Sequence, residues 1–331
     1  MGTRPEADLL RRLALASVAA NCLIVVTGGA VRLTASGLGC PSWPRCTSTS
    51  YVPTAELASH GVIEFGNRLL TFVLAAIVLA LLVAVVRARP RPPGLLLLAW
   101  LGALGIPAQA VLGGITVLTG LNPWTVMAHF LLSMVLISLA VWLHHRTRPA
   151  APTAAEPIAT DPPAVVRLLG FAVLAAVAAV LTIGTVVTGS GPHSGDPSAG
   201  RTGLDPTLVT QLHADAVMLL IGLTVGLLVC LHAVPTSSAV RRAAYALAAA
   251  ELGQAGVGYA QHFTGLPVLL VAIHLAGACA VLVTAVRVVL VLAGEGSGAA
   301  SEQLVERQRQ EEQRQVADGE VEQAHRRGVA T

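Results

Sequence analysis

Lysine is absent from this chain of 331 residues, and charged and aromatic side chains make up only 12% and 4% of it. Soluble proteins average about 25% charged residues, so this composition argues against a water-soluble fold. Hydrophobic residues make up 54% of the chain and the mean hydropathy is +0.71, which is typical of a protein that crosses a membrane several times. The isoelectric point near 8.8 comes from arginines beside apolar runs, so it does not indicate binding to nucleic acid.

The apolar runs predict an all-α membrane protein, because lipid offers exposed backbone groups no hydrogen-bond partners. Eight transmembrane helices are expected at 13–32, 60–86, 95–117, 124–143, 165–188, 207–232, 240–260 and 267–292. Short connections favour two antiparallel four-helix bundles. The predicted division is a first bundle over 1–145, a Pro-, Ala- and Thr-rich linker over 146–164, a second bundle over 165–292 and a polar tail over 293–331.

The arginines predict the orientation of these helices. They cluster beside alternate ends of the spans, at Arg4, Arg11, Arg12, Arg87, Arg89, Arg91, Arg146, Arg148, Arg241, Arg242 and Arg287. All of these positions fall on one side if both termini are cytoplasmic, as the positive-inside rule requires. The sequence therefore predicts a multi-pass protein of the cell membrane with both termini in the cytoplasm.

One sequence pattern occurs twice, which indicates two fused copies of a single unit. Its members are Gln109, Gly113, Thr119, Gly120, Leu121, Val126 and His129, and they recur at a constant offset of 145 as Gln254, Gly258, Thr264, Gly265, Leu266, Val271 and His274. Each copy ends on a histidine inside an apolar stretch. The two copies therefore predict two pseudo-symmetric bundles, each with an imidazole in its interior.

The buried histidines predict a haem site in the second half. His213 lies in the sixth span at a depth similar to that of His274, and haem needs two axial nitrogens on opposite faces. An ionisable group within the bilayer is usually functional, although a single histidine is also compatible with a hydrogen-bonded core position. The pair at matched depth favours a bis-histidine haem site.

The first half departs from this arrangement. An offset of 146 from His213 leads to Asn67, and on a helix His60, Glu64 and Asn67 fall within about 60° of one another. Two ionisable residues, Glu64 and Arg68, are present only in this half, which predicts different roles for the two bundles. The alternative is that Glu64 and Arg68 form only a structural ion pair at positions i and i+4.

Cysteine positions refine the topology. Cys40 and Cys46 lie in the first outer loop, on the oxidising side, and predict a disulfide that closes this loop; two unpaired thiols are the alternative. Cys22, Cys230 and Cys279 lie within spans and are expected to be small packing residues. His193 and His262 lie in or near outer loops without a convincing partner in the sequence.

The segments TGGAVRLTASGLGCPSWPRC, IEFGNRLL and GGITVLTGL, with the repeated histidine on a helix, resemble haem A synthases over residues 13–292. This resemblance implies an oxidoreductase that converts haem O to haem A for cytochrome oxidase biogenesis, by oxidising the C8 methyl group of the porphyrin to a formyl group. It also implies two four-helix bundles, a bound haem b in the second and haem O in the first.

Carried over by residue, the resemblance matches His213 and His274 to the axial ligands of haem b and His129 to one ligand of the substrate haem. Glu64 matches the catalytic glutamate, and Asn67 stands where the family has a second histidine. His60 is then the candidate substitute ligand, although seven residues of helix, about 10 Å, separate it from Asn67. His60 and His129 therefore do not hold the same haem in an unchanged pose: the haem shifts outward, it binds with one protein ligand, or Asn67 supports a water ligand.

Three further positions are candidate contacts to haem. Asn67 is a candidate support for a water ligand, and Arg68 lies beside the catalytic glutamate. Arg32 is either the partner of a haem propionate or an interfacial anchor.

Other functional classes stay open at this point. A cytochrome b-like electron-transfer protein or a haem carrier would also have histidines in its bundles, whereas a purely structural subunit would not explain them. The expected partners are haem O, the lipid bilayer and a haem O synthase that delivers the substrate, and a homo-oligomer stays open.

Overall fold

The computed structural model describes residues 4–89, 91, 94–148 and 162–294, and all regular structure in these ranges is helical. A short 3-10 helix at Ala55–Leu57 precedes the second long helix. The long helices are α1 (Arg4–Leu33), α2 (Ala58–Arg87), α3 (Leu95–Leu118), α4 (Pro123–Arg146), α5 (Ala164–Ser190), α6 (Pro206–Ala233), α7 (Ser238–Phe263) and α8 (Val268–Gly294). Most of the predicted linker and nearly all of the predicted polar tail lie outside the described residues.

The all-α membrane architecture is confirmed, and each predicted span coincides with one of these helices. Within the described ranges, seven helices are long and apolar enough to cross a membrane, and α7 is not among them. The reason is visible in its sequence, because α7 carries Arg241, Arg242 and Glu251 among small residues. Its place in the bundle is therefore determined by its neighbours more than by its own hydropathy.

The first four helices form a ring. Helix α1 contacts α2 and α4, and α3 contacts the same two helices. Apolar side chains fill the centre of this ring in two clusters, one around Val85 and Leu95 and one around Val78 and Ile106. This is the antiparallel packing that short connections favour.

The second half packs against the first through one continuous apolar core. Ile137 and Met134 of α4 belong to the same buried cluster as Val173 of α5 and Val281 of α8. Leu292 of α8 lies against Gly170 of α5, which brings the two ends of the second half together. Val25 of α1 belongs to this cluster as well, so α1, α4, α5 and α8 form the interface between the halves.

The arginines at the predicted cytoplasmic end lie close together in space. Burial and the nearby guanidinium groups of Arg287 and Arg11 lower the pKa of Arg148, which follows α4. Residues from α1, α8 and the end of α4 thus meet at one end of the molecule. The structure thus brings together three of the arginines that the sequence pattern predicts on one side, Arg11, Arg148 and Arg287.

The repeated Thr-Gly-Leu triplet forms the same turn in both halves. Gly120 and Leu121 have positive φ angles of 63° and 57° after α3, and Gly265 and Leu266 have 77° and 60° after α7. The Leu121 N–H donates to Thr116 O and the Leu266 N–H donates to Gln261 O, each at 2.8 Å. The sequence repeat is therefore also a structural repeat, with glycine in the left-handed conformation that ends many helices.

Candidate functional site

Three histidines lie on the inner faces of α4, α6 and α8, each opposite a glycine of the preceding helix. A β-carbon at Gly113 would lie 3.0 Å from Cε1 of His129, and one at Gly184 would lie 3.1 Å from Cε1 of His213. The corresponding distance from Gly258 to His274 is 3.6 Å. Glycine therefore creates the space in which each imidazole ring lies between paired helices.

The imidazoles have buried nitrogen atoms available for a ligand. Nδ1 of His129 and of His274 is buried and has no hydrogen-bond partner among the described residues. Such unpaired groups are uncommon in native interiors and call for an explanation. A half-buried ring with an unpaired nitrogen, in a space created by glycine, fits an axial ligand of a haem iron.

The repeated glutamine positions the helix that carries the histidine. Gln254 Nε2 donates to the backbone carbonyl of His274 at 2.7 Å, and Gln109 Nε2 donates to that of His129 at 3.1 Å. In the second half, His213 of α6 lies opposite Gly184 and His274 of α8 lies opposite Gly258. The second half thus offers two imidazoles from two helices, which is the ligand set of a bis-histidine site.

Asn67 occupies the fourth equivalent position. Its Nδ2 would lie 3.8 Å from a β-carbon at Gly28, so it lies opposite a glycine as the three histidines do. Its Oδ1 accepts a hydrogen bond from the Thr27 hydroxyl at 2.8 Å. His60 lies near the outer end of α2, where it is exposed and its Nδ1 is 2.9 Å from Ser36 Oγ. Asn67, and not His60, is therefore the spatial counterpart of His213.

Glu64 and Arg68 form a buried ion pair that also binds the first outer loop. Glu64 is 6% exposed, and its Oε1 lies 2.6 Å from Arg68 Nη2. Glu64 Oε2 accepts the Cys40 N–H at 2.6 Å, and Arg68 donates to the carbonyls of Cys40 and Ser42 at 3.0 and 3.1 Å. The structural ion pair that the sequence left as an alternative is present.

The first outer loop packs against α2 and α3. Cys40 and Cys46 are joined by a disulfide with an S–S distance of 2.03 Å. The Trp43 ring of this loop lies against Gly114 of α3, next to the glycine that faces His129. The sequence analysis did not predict this contact of Trp43. The available clue was Gly114, a second glycine beside Gly113, because the second copy of the repeat has Tyr259 at that position.

Arg32 connects the two halves at their outer ends. Its Nε and Nη2 donate to the carbonyls of His193 and Thr188 at 2.5 and 2.9 Å. His193 Nε2 lies 3.0 Å from the carbonyl of Leu266, so this histidine has a partner that the sequence did not indicate. The Arg32 guanidinium thus joins α1 to the loop after α5.

A known protein family matches the first part of the chain. Residues 11–193, more than half of the chain, match the COX15-CtaA family model, which is described as cytochrome oxidase assembly protein. The match covers α1 to α5 and all the candidate residues of the first half, whereas His213 and His274 lie beyond it.

Several curated proteins named "Heme A synthase" are similar to parts of the chain. The protein of Geobacillus kaustophilus is 35% identical over 138 residues, which are 40% of this chain and 42% of that protein. The protein of Geobacillus thermodenitrificans is 34% identical over 139 residues, again 40% and 42% of the two chains. The protein of Shewanella oneidensis is 29% identical over 197 residues, 55% and 56% of the two chains. The chain thus matches about half the length of these relatives, or less.

Proposed function

Because the chain belongs to the cytochrome oxidase assembly protein family, we propose that it is a haem A synthase, which oxidises the C8 methyl group of haem O to a formyl group. The observation that carries this proposal is the asymmetry of two otherwise matched bundles. Both present imidazoles opposite glycines, and among the described residues only the first has a buried carboxylate, Glu64, that is hydrogen-bonded to a disulfide-closed loop.

The second bundle is the proposed site of a resident haem b, with His213 and His274 as its axial ligands. When bound, this haem supplies one-electron redox chemistry. Gly184 and Gly258 provide room for the two rings, and Gln254 fixes the backbone of His274. Glu64 has no counterpart in this bundle, because Thr210 takes its place at an offset of 146.

The first bundle is the proposed site of the substrate, haem O. His129 offers one axial nitrogen, whereas the Asn67 amide already accepts a hydrogen bond from Thr27. His60 lies about 10 Å further along α2, beside Ser36, at the entrance to the bundle. We therefore propose His129 as the one protein ligand that would hold the substrate iron, with Asn67 on α2 in the bundle interior and His60 at the outer end of α2.

Glu64 is the proposed electrostatic stabiliser of positive charge that develops on the substrate during oxidation. Arg68 and the Cys40 N–H together occupy both of its carboxylate oxygens, so a role as a general base would first require one of these bonds to break. Arg68 thus holds the carboxylate and the loop in place. The backbone contacts of Arg32 favour a role in joining the halves over one in pairing with a propionate.

The proposed division of labour follows the predicted domains, with the substrate site in 1–145 and the haem b site in 165–292. We place the protein in the cell membrane with both termini cytoplasmic. This placement is supported by the arginines of α1, α8 and the end of α4, which meet at one end of the molecule. The disulfide then lies on the oxidising side. A membrane-bound haem O synthase is the proposed source of so apolar a substrate.

The test is mass analysis of haems extracted from membranes that contain this chain and a source of haem O. We expect haem A with the unaltered chain and with Glu56→Gln, which changes an exposed carboxylate near the start of α2. Glu64→Gln is expected to abolish or strongly reduce haem A while the haem b spectrum persists. Haem b with unchanged haem O would contradict the proposal and favour an electron-transfer protein.

A further inference from the structure

A second carboxylate is buried in this protein, in the half where no catalytic carboxylate is proposed. Glu251 of α7 is 5% exposed, and its Oε1 accepts a hydrogen bond from the hydroxyl of Thr224 on α6 at 2.9 Å. Thr224 is itself only 2% exposed. An ionisable group in the core of a membrane bundle is costly and is usually retained for a function. No step proposed above uses it.

The internal repeat shows that the fold does not require this polar pair. The offsets that relate the two halves, 146 for α6 and 145 for α7, lead from Thr224 to Val78 and from Glu251 to Ile106. Val78 and Ile106 are both buried and pack together in one apolar cluster of the first half. The same contact between helices is thus apolar in one bundle and polar in its twin.

Glu251 lies on the helix face that points toward the histidine pair. Seven residues separate it from Gly258, which packs against His274, so the two share one face about 10 Å apart along α7. Thr224 likewise lies on the same face of α6 as His213, eleven residues nearer the cytoplasmic end. The carboxyl group therefore lies in the bundle interior, on the cytoplasmic side of the two imidazoles.

Few other charges lie near this carboxyl group. On α6, Thr224 contacts the carboxyl group, and His213 lies further toward the outer end. His232 lies near the cytoplasmic end of α6, where it bonds Tyr245 of α7. Helix α5 has no titratable side chain between residues 168 and 190, and the titratable groups of α8 on this level are His274 and Cys279. No ion pair of Glu251 is found in the described ranges. Among the described residues, its carboxylate thus accepts a hydrogen bond from the neutral Thr224 hydroxyl.

We propose that Glu251 is a proton-binding site coupled to the redox state of the haem held by the second half, an inference that rests on the haem b site proposed above. One electron added to the ferric iron removes one positive charge from the bundle interior, which disfavours a carboxylate anion nearby. The carboxylate then takes one proton from water, and it returns that proton when the electron leaves. The electron comes from the oxidation of the substrate, or from an added chemical reductant.

The test is a potentiometric titration of the second-half haem in the purified full-length chain, followed by absorbance at several pH values. The midpoint potential of the unaltered protein is expected to fall as pH rises. Glu251→Gln is expected to remove the part of this pH dependence that comes from Glu251. Any part that comes from the haem propionates is expected to remain. Thr224→Val is expected to move the dependence to higher pH, because the hydroxyl that stabilises the anion is lost.

A double variant separates folding from proton binding. Glu251→Ile with Thr224→Val copies the apolar pair of the first half, and it is expected to retain haem while the pH dependence of the midpoint is lost. Reduced-minus-oxidised infrared spectra of the unaltered protein, with and without labelled glutamate, are expected to show a protonated carboxyl group on reduction.

Two results would overturn the inference. If the midpoint of Glu251→Gln follows pH as that of the unaltered protein does, Glu251 is not the coupled group, although the haem site stands. If the unaltered chain binds no haem through His213 and His274, the proposed haem site fails and the coupling fails with it.

Discussion

Glu64 and Arg68 illustrate how one pair of residues serves both the local structure and the proposed chemistry. The Arg68 guanidinium binds the Glu64 carboxylate and three backbone carbonyls of the disulfide loop, at Cys40, Ser42 and Arg45. Both members of the pair are largely buried, so removal of one leaves an uncompensated charge on the other. The Arg68 guanidinium therefore ties the disulfide loop to α2, together with the bond from the Cys40 N–H to Glu64.

Arg68→Gln is expected to lower the free energy of unfolding by about 3–5 kcal/mol, because Glu64 is left buried without its partner. The measurement is the thermal unfolding midpoint of the protein in detergent. Arg45→Gln is the matched control, since that side chain is exposed in the same loop and contacts the Ser48 carbonyl and the Tyr51 ring at the surface. Its loss is expected to cost about 1 kcal/mol or less. Equal midpoints for the two variants would show that the ion pair does not hold the loop.

The turns between paired helices decide where the candidate ligands lie along the bundle. In both halves the Thr-Gly-Leu turn ends one helix, and the histidine follows eight residues after Leu121 or Leu266. Gly120 and Gly265 have positive φ angles, and the leucine that follows each returns a backbone hydrogen bond to the helix just ended. Identical turns thus place His129 and His274 at matching depths.

Gly120→Ala and Gly265→Ala are each expected to destabilise the protein by about 1 kcal/mol or more, because alanine is strained at positive φ. Gly256→Ala within α7 is the control, since no atom lies within 4 Å of the position that its β-carbon would take. Alanine there is expected to be neutral or to stabilise the helix by roughly 0.5–1 kcal/mol. Chemical denaturation in detergent gives both values, and a stable Gly265→Ala would contradict the proposed role of the turn.

The two bundles are similar units that stabilise each other through a common core. The cluster around Ile137 and Val173 includes residues of both halves, and Arg32 adds backbone contacts between them at the outer end. We therefore expect the halves to lose their structure together and not one after the other.

Ile137→Ala tests this coupling. Ile137 is 0% exposed in the shared core, and its truncation is expected to cost about 2–5 kcal/mol. Val135→Ala, two residues earlier on α4 and 52% exposed, is expected to change stability little. The readout is the release of the haem b proposed for the second half. Ile137→Ala is expected to lower the temperature of this release, although the substitution lies in the first half. Unchanged release would show that the halves unfold independently.

Much of the fold was predictable from local patterns. Apolar run length predicted the helices because a bilayer has a fixed thickness, and the repeat with its offset of 145 indicated two related units. The same patterns identified His129, His213 and His274, since an imidazole within an apolar span is rare enough to be noticed. They also predicted that Cys40 and Cys46 are paired and that Glu64 and Arg68 lie on one helix face.

What local patterns could not supply was the contact between distant segments. Three such contacts depend on how helices and loops pack: Asn67 opposite Gly28, Trp43 against Gly114 and His193 with the Leu266 carbonyl. The spacing of these residues along the chain does not predict how far apart they lie in space. The same holds for Glu251, whose partner Thr224 lies on a different helix. Helix positions follow from the chain's interaction with lipid, which acts on each segment separately, whereas the sites follow from side-chain packing, which is settled only when all the helices are in place.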